Sequence, residues 1–236
     1  MRIVHISDLH VGRNWMFSRD MLEQGIDLIN ETAPDAVVVT GDLTDWGLRE
    51  EYGMVRKFLE RIRPDLYLVA GNHDARTNGY RIFEEMFCTE RHRYYHTDMG
   101  DWRLIGLDSS EPDIDDGHIG REQMRWLSEA LDTDRKKMLM LHHHLIPIPD
   151  TGRDRNILVD AGTVLKLLVE NRTDIVLTGH KHMPFVWELN GMPIVTAGTL
   201  ACRRAFAGNS LNVLDLEDEV RVTRVELPGG NEVRML

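Results

Sequence analysis

Five short apolar runs in this chain each lead into a cluster of Asp, Asn or His side chains, and this pairing constrains the fold more than any other feature. The runs are residues 3–6, 36–39, 66–69, 138–141 and 175–177. The clusters that follow them are Asp8-Leu9-His10, Gly41-Asp42, Gly71-Asn72-His73-Asp74, His142-His143-His144 and Gly179-His180-Lys181-His182. Short aliphatic runs indicate buried parallel strands, and open α/β sheets carry their sites at the carboxyl ends of strands. We therefore expect the clusters to converge on one sheet edge.

Stretches in which apolar residues recur at helical spacing alternate with these strands, starting in the first half of the chain. The expected helices cover about residues 19–30, 49–62, 79–87, 121–131 and 159–170. Strand–helix–strand repeats imply right-handed crossovers and a parallel sheet. The tail instead contains short strands at 185–189, 192–196, 211–214 and 220–225, with Asn190-Gly191 as a hairpin turn. It predicts a second, antiparallel-containing sheet packed on the first, in one domain of residues 1–236.

Composition narrows the choice of partners and compartment. The 39 acidic and 28 basic residues give a net charge of −11, which argues against broad contact with nucleic acid. The only two cysteines, Cys88 and Cys202, lie far apart and favour a reducing cytoplasm over a disulfide framework. We read Cys202 as a small buried residue rather than a nucleophile. No apolar stretch approaches the roughly 20 residues that span a bilayer.

The side chains in the clusters are ligands for divalent transition metals. Asp8 and Asp42 offer carboxylates, Asn72 offers an amide oxygen, and the histidines offer ring nitrogen. Oxygen and nitrogen without thiolate suit Mn, Fe, Zn, Co or Ni better than Mg or Ca. Two such ions can hold a phosphoryl group and generate hydroxide near neutral pH. His73 is set outside this group, as a free imidazole that aids the transferring phosphoryl group, with Asp74 orienting its ring.

The order D-x-H, G-D, G-N-H-D, a His-rich strand end and G-H-x-H resembles the calcineurin-like metallophosphoesterase superfamily. Gly41-Asp42-Leu43-Thr44-Asp45 and the helix near residues 120–131 are most similar to its cyclic-nucleotide-phosphodiesterase-type branch. The resemblance implies two mixed β-sheets packed face to face and flanked by helices, a four-layer αββα sandwich. It implies one metal held by Asp8, His10, Asp42 and His182, and another held by Asp42, Asn72, His143 and His180. It also implies that Asp42 bridges the two ions and that His73, partnered by Asp74, is the catalytic residue that binds no metal.

The sequence departs from the family pattern at the fourth cluster. The family has a proline two residues after the ligand histidine, and Leu145 takes that place if the ligand is His143. We therefore choose His143, with His142 as the alternative. Arg203 and Arg204 are candidates for contact with the substrate phosphate. Trp46 either lines the substrate pocket or packs beneath the following helix.

These features predict a metal-dependent phosphoesterase that hydrolyses a small phosphodiester or phosphomonoester by attack of a metal-bridging hydroxide. Three alternatives remain open: a nuclease, a phosphoprotein phosphatase, and a non-catalytic binding protein that kept the fold. The acidic charge disfavours the nuclease, and the complete ligand set disfavours the non-catalytic protein. The sequence leaves the physiological substrate and the oligomeric state open.

Overall fold

Two mixed β-sheets of six strands each form the centre of the protein. They are seen in a computed structural model that describes residues 1–88, 92–153, 155–217 and 219–236. The strands are β1 (Arg2–Ile6), β2 (Ala36–Thr40), β3 (Asp65–Val69), β4 (Tyr95–Met99), β5 (Trp102–Gly106), β6 (Lys136–Met140), β7 (Ile175–Thr178), β8 (Phe185–Leu189), β9 (Met192–Thr196), β10 (Asn209–Leu216), β11 (Val220–Leu227) and β12 (Glu232–Arg234). The helices in these described ranges are α1 (Arg19–Thr32), α2 (Arg49–Leu59), α3 (Gly79–Phe87), α4 (Gly120–Ala130) and α5 (Ala161–Glu170).

The first sheet has the strand order β12-β11-β10-β1-β2-β3. Strands β1, β2 and β3 run parallel, whereas β10, β11 and β12 are joined to β1 by successive antiparallel pairings. The prediction that the tail builds a separate second sheet is therefore wrong. The tail divides, because β8 and β9 extend the other sheet while β10 to β12 complete this one.

The second sheet has the order β4-β5-β6-β7-β9-β8. Four neighbouring strands, β5, β6, β7 and β9, are parallel, and antiparallel strands close both edges. The edge strand β4 was not predicted because its sequence, YHTDM, lacks an apolar run and its side chains alternate between exposed and half-buried. The hairpin predicted at Asn190-Gly191 is confirmed as the connection between β8 and β9.

The sheets pack face to face, and each is covered on its outer face by helices. Side chains of both sheets share the central core, in which Val38 of the first sheet belongs to the same cluster as Leu104 and Met140 of the second. A second core lies between the first sheet and α1, α2 and α3, and a third lies between the second sheet and α4 and α5. The predicted four-layer αββα arrangement is confirmed.

Helices form where the apolar stripes predict them, with small differences at their ends. The helix α2 ends at Leu59, three residues before the predicted end. Ile62 lies in the turn beyond it and still packs into the core between the first sheet and its helices, called here the helix-side core. The helix α5 begins at Ala161, two residues after the predicted start at Val159. Val159 is exposed, so it does not belong to the buried stripe of this helix. None of the helices in the described part of the chain has the length and apolar character needed to cross a bilayer.

The five polar clusters follow β1, β2, β3, β6 and β7. Three of them therefore belong to the first sheet and two to the second, which corrects the expectation of a single sheet edge. They still meet, because the carboxyl ends of both sets of strands lie on the same side of the sandwich. Hydrogen bonds cross between the sheets there, from His180 N–H to Asp8 Oδ2 at 3.0 Å and from His142 Nδ1 to the Thr40 carbonyl at 2.7 Å.

Candidate metal centre

The chain turns sharply at five of the predicted metal ligands. Asp8, His10, Asp42, His180 and His182 all adopt left-handed backbone conformations, with φ between 45° and 76°. This region is disfavoured for residues with a Cβ atom, and such residues gather at functional sites where surrounding contacts impose the conformation. The turns bring these five side chains back over the ends of the strands.

Two glycines allow the loops to approach one another closely. A Cβ atom at Gly71 would overlap the Asp42 carboxylate, and one at Gly179 would overlap Ser7 Oγ and approach Asp8 Oδ2 to 2.8 Å. Each glycine thus leaves the space that a ligand carboxylate occupies. Substitution at either position would displace Asp42 or Asp8.

Asp8, His10 and His182 form the first of two ligand groups. The Nε2 atoms of His10 and His182 lie 2.9 Å apart, and Asp8 Oδ1 lies 3.1 Å from His182 Nε2. All three residues are buried. Within the described chain, Asp8 Oδ1 makes no hydrogen bond of acceptable geometry. A buried carboxylate oxygen without a hydrogen bond is costly and fits a position facing a cation.

Asn72, His142 and His180 form the second ligand group. Asn72 Oδ1 lies 3.1 Å from both His142 Nε2 and His180 Nδ1, and these two nitrogens are also 3.1 Å apart. The amide of Asn72 is oriented from behind, because its Nδ2 donates to Asp115 Oδ1 at 3.1 Å. Its carbonyl oxygen therefore points to the two histidines.

Asp42 lies between the two groups. Its Oδ2 atom is 3.5 Å from His10 Nε2 in the first group and 3.4 Å from His142 Nε2 in the second. Its other oxygen, Oδ1, accepts the backbone N–H of His73 at 2.9 Å. One carboxylate thus faces both groups, as a bridging ligand must.

Three of the histidines use one ring nitrogen to bind a main-chain carbonyl. His142 Nδ1 donates to Thr40 at 2.7 Å, His180 Nε2 to Asn156 at 2.8 Å and His182 Nδ1 to Arg204 at 2.7 Å. Because a carbonyl can only accept, each of these nitrogens carries the proton. In the neutral ring, the opposite nitrogen has a free lone pair, and in all three residues that nitrogen faces a ligand group. Metal-binding histidines are oriented in this way.

His143, which the sequence favoured, lies outside both groups, whereas the alternative, His142, lies in the second group. Its Nδ1 contacts Ser109 Oγ at 2.8 Å and its Nε2 contacts the Asp115 carbonyl at 3.1 Å. Both ring nitrogens are therefore engaged away from Asp42. Adjacent residues at the end of β6 face different sides, and of these two histidines only His142 faces Asp42 and Asn72.

The carboxylates set a negative field around the site. Burial opposes the charged form of His182, yet Asp8 outweighs it and raises the His182 pKa to about 9. Asp42 likewise overcomes burial and raises the His142 pKa to about 9. The pKa of His180 is instead lowered, by burial and by the neighbouring His143 and His142. The pKa values of Asp8 and Asp42 are depressed, since the histidines outweigh burial.

His73 lies beside the ligands and is held at one ring nitrogen. Its Nδ1 is 2.8 Å from the Asp45 carbonyl and 2.9 Å from Arg76 Nη1. It donates to the first or accepts from the second, and either tautomer leaves Nε2 out of these contacts. A ring nitrogen of His73 lies within 4.8 Å of Asp42 and His10.

Asp74 does not contact the His73 ring, contrary to the expectation that it orients that ring. Its carboxylate is fully buried and accepts the backbone N–H groups of Leu43, Thr44 and Gly71 at 2.9 to 3.0 Å. It also accepts the Thr44 hydroxyl at 2.8 Å. Asp74 therefore joins the loops after β2 and β3, and it acts on the site only through their positions.

Several residues that shape the site were missed from the sequence. Asp45 faces two histidines, with Oδ1 3.8 Å from His10 Nδ1 and 3.6 Å from His73 Nδ1. Arg76 spans from His73 to Asp115, with Nη2 2.9 Å from Asp115 Oδ1. Asp45 lies in the Gly41–Asp45 motif quoted above, so the sequence could have identified it as a site residue. The sequence could not have identified the carbonyls of Thr40, Asn156 and Arg204, since every residue has a main-chain carbonyl.

The remaining predicted contacts lie at the rim. Trp46 is 55% exposed and lies under the Arg76 guanidinium, so it does not pack beneath the following helix. Arg203 and Arg204 are exposed, and their observed contacts are made by backbone atoms, such as Arg203 N–H with the Met16 carbonyl. Among the described residues, no contact defines a substrate phosphate position at these two arginines.

The residues present fit divalent transition metals. The two groups and Asp42 combine carboxylate, amide and imidazole donors, several of which face one another across about 3 Å. Such mixed oxygen and nitrogen sets suit Mn, Fe, Co, Ni or Zn. In the described part of the chain, three sets of three side chains have ligand atoms within 4.8 Å of one another: His10, His182 and Cys202; His10, Asp42 and His73; and Asp42, His142 and His180.

Known proteins share this sequence pattern and fold. The family model of the calcineurin-like phosphoesterases matches residues 1–184. A probable glycerophosphodiester phosphodiesterase GpdQ of Arcobacter nitrofigilis is 28% identical over 213 residues, which cover 84% of this chain and 78% of that protein. A cAMP/cGMP dual specificity phosphodiesterase of Mycobacterium tuberculosis is 30% identical over 212 residues, covering 83% of this chain and 66% of that one. In fold, a dimetal phosphatase from Danio rerio matches with a TM-score of 0.73 at 14% identity, covering 100% of this chain and 98% of the other.

Proposed function

The chain belongs to the calcineurin-like phosphoesterase family, and we propose on this premise that it is a dinuclear-metal phosphoric ester hydrolase acting on small phosphodiesters. The observation that carries the proposal is the orientation of His142, His180 and His182. Each donates one ring nitrogen to a main-chain carbonyl and turns the other toward Asp8, Asp42 or Asn72. The three facing nitrogens converge on buried oxygen atoms, and the hydrogen bond at the opposite ring nitrogen is the one that orients metal-binding histidines.

The ligand assignment follows from the two groups. One divalent cation would be held by Asp8, His10, His182 and Asp42, and the other by Asp42, Asn72, His142 and His180. The family resemblance gave the same sets except that it named His143 where we now propose His142. When bound, the two ions supply positive charge to a phosphoryl group and acidify water.

His73 is the residue we assign to proton transfer. Its ring is held at Nδ1 by Asp45 and Arg76, and Nε2 remains free for a proton near the reacting group. At that position the imidazole can protonate the leaving oxygen of an ester or stabilise the phosphoryl oxygens. General acid–base help of this kind contributes about 10²- to 10⁴-fold to the rate.

The choice of small diesters rests on charge and on the relatives. A net charge of −11 disfavours a long polyanionic substrate, since the chain offers a surplus of repelling carboxylates. The relatives described above are named as phosphodiesterases. No specific observation favours the nuclease, the phosphoprotein phosphatase or the non-catalytic protein. The exposed Trp46 with Arg76 above it offers a flat cationic edge beside His73 for the leaving group of a diester.

Two further expectations belong to this proposal. We treat residues 1–236 as one domain, because side chains from both sheets form a shared central core. We also propose a reducing, cytoplasmic setting, which is supported by two cysteines that are both free thiols.

A His73→Ala variant and a substrate panel test the proposal. The wild type, loaded with manganese, should hydrolyse bis(p-nitrophenyl) phosphate faster than the monoester, and cyclic AMP or a glycerophosphodiester faster than single-stranded DNA. His73→Ala should retain both metal equivalents and lose about 10²- to 10⁴-fold in kcat. His96→Ala is the matched control, because His96 lies on the edge strand β4, where it stacks on Trp126. Normal turnover by His73→Ala would remove His73 from the mechanism, full activity of a metal-free wild type would reject the dependence on metals, and a metal-loaded wild type that hydrolyses none of these esters would reject the hydrolase.

A further inference from the structure

Cys202 lies against the first ligand group although no sequence motif includes it. Its side chain is buried, and its Sγ atom and ring nitrogens of His10 and His182 all lie within 4.8 Å of one another. A sulfur at about 2.3 Å and a nitrogen at about 2.1 Å from one zinc ion lie about 3.6 Å apart at the tetrahedral angle. The three ligand atoms are therefore close enough together to be candidates for one ion.

The turn that carries Cys202 is anchored to the ligand Asp8. The Thr199 hydroxyl donates to the Asp8 carbonyl at 2.6 Å and accepts the Cys202 N–H at 2.9 Å. The Asn209 amide donates to the Cys202 carbonyl at 2.9 Å. These bonds fix the backbone of Cys202 relative to Asp8, so the thiol is held beside the first group through three hydrogen bonds made by two side chains outside it.

The surroundings of the sulfur also point to a ligand. Sγ accepts the backbone N–H of Arg204 at 3.4 Å, as metal-bound thiolates commonly do, and the Arg204 carbonyl accepts His182 Nδ1. In the same group, the fully buried Asp8 Oδ1 makes no acceptable hydrogen bond among the described residues and lies 3.1 Å from His182 Nε2. The thiol and this oxygen therefore approach the same ring.

We propose that Cys202 is a fifth protein ligand of the ion held by Asp8, His10, His182 and Asp42, giving that ion a thiolate that the second ion lacks. The inference rests on the metal site of the proposed function. On binding, the S–H bond breaks, the proton is released to solvent, and the sulfur lone pair forms the bond to the metal. Thiolate ligands favour zinc, iron, cobalt and cadmium over manganese and magnesium, so the first position should select softer metals than the second.

Cobalt spectroscopy on the full chain tests this ligand. Cobalt(II) bound by a thiolate shows an intense near-ultraviolet charge-transfer band, whereas cobalt bound only by oxygen and nitrogen does not. The chain has only two cysteines, so a band in a Cys88→Ser variant can come only from Cys202. Cys88 packs against the helix-side core of the first sheet and serves as the matched position. We expect the band in wild type and Cys88→Ser and its loss in Cys202→Ser.

Metal preference provides a second readout. Cys202→Ser should bind cadmium at least about tenfold more weakly relative to manganese, by competition between the two metals. Cobalt bound at two equivalents without a charge-transfer band in Cys88→Ser would overturn the thiolate ligand and leave the hydrolase proposal standing. A wild type that binds no cobalt would overturn both. Because the Cys88→Ser spectrum decides the point, the result holds even if Cys202→Ser does not fold.

Discussion

The two ligand groups contain equal numbers of histidines but unequal charge. The first group has a carboxylate of its own, Asp8, whereas the corresponding oxygen in the second comes from the neutral amide of Asn72. The pKa values show where each group finds its negative charge. In the first group Asp8 raises the His182 pKa to about 9 against the effect of burial. In the second group the shared Asp42 raises the His142 pKa to about 9, while the pKa of His180 is lowered by burial and neighbouring histidines. The second group therefore depends on the shared Asp42 for its negative charge.

This difference in charge sets an order of affinity. A unit charge about 4 Å from a cation contributes up to about 4 kcal/mol at an effective dielectric constant of about 20. Asp8 adds such a contribution to the first position alone. We therefore expect the ion of the first group to be held more tightly, and the ion of the second group to exchange first.

The largest expected effect comes from Asp42→Asn, which tests whether the groups share one carboxylate. Asp42 Oδ2 lies within 3.5 Å of a histidine nitrogen in each group, so both ions should be lost together. Activity should fall by at least about 10³-fold, since several kcal/mol of transition-state stabilisation depend on the metals. Asp27→Asn, an exposed position on α1, is the control. Two retained equivalents of metal by elemental analysis would contradict the bridging role.

The next comparison separates two adjacent histidines. His142→Ala should lose the second metal equivalent and about 10²-fold in activity, because its Nε2 faces Asn72 and Asp42. His143→Gln should keep both metals and lower the free energy of unfolding by about 1 kcal/mol, since it weakens the contacts with Ser109 and the Asp115 carbonyl. Metal content and urea unfolding of the two variants measure both effects. The opposite result would restore the sequence-based choice of His143.

The smallest expected effect is a difference between the two metal positions in the chelator concentration that removes the ion. In His180→Ala the remaining ion should lie in the first group, and in His182→Ala it should lie in the second. Removing the ion from His180→Ala should require at least about tenfold more chelator than removing it from His182→Ala. The metal-to-protein ratio at each chelator concentration gives both values. Equal resistance would show that the carboxylate of Asp8 does not distinguish the two positions.

The sequence was sufficient where side-chain type and strand ends carry the information. The runs before Asp8, Asp42, Asn72 and His180 are β1, β2, β3 and β7, and every predicted ligand except His143 lies in the cluster. It could not separate His142 from His143, because that depends on which ring nitrogens already contact Thr40, Ser109 and Asp115. Those contacts come from distant parts of the chain, and two of the three are main-chain carbonyls.

Sheet membership was the other feature beyond the reach of sequence patterns. The apolar residues of β10 and β11 indicate that they are strands but not which sheet accepts them. Pairing of β10 with β1 is decided by the whole chain, through the edge that the earlier crossovers leave open. The position of Asp74 was likewise hidden, since its partners are backbone N–H groups of two separate loops.

Each ligand group draws on both sheets. Asp8 and His10 follow a strand of the first sheet and His182 follows a strand of the second, and the other group pairs Asn72 with His142 and His180 in the same way. A cation at either position would cross-link the two halves of the sandwich. A higher ion concentration should therefore raise the free energy of unfolding as well as turnover. The increase in the free energy of unfolding should reach about 4 kcal/mol at an ion concentration of 1,000 times the dissociation constant.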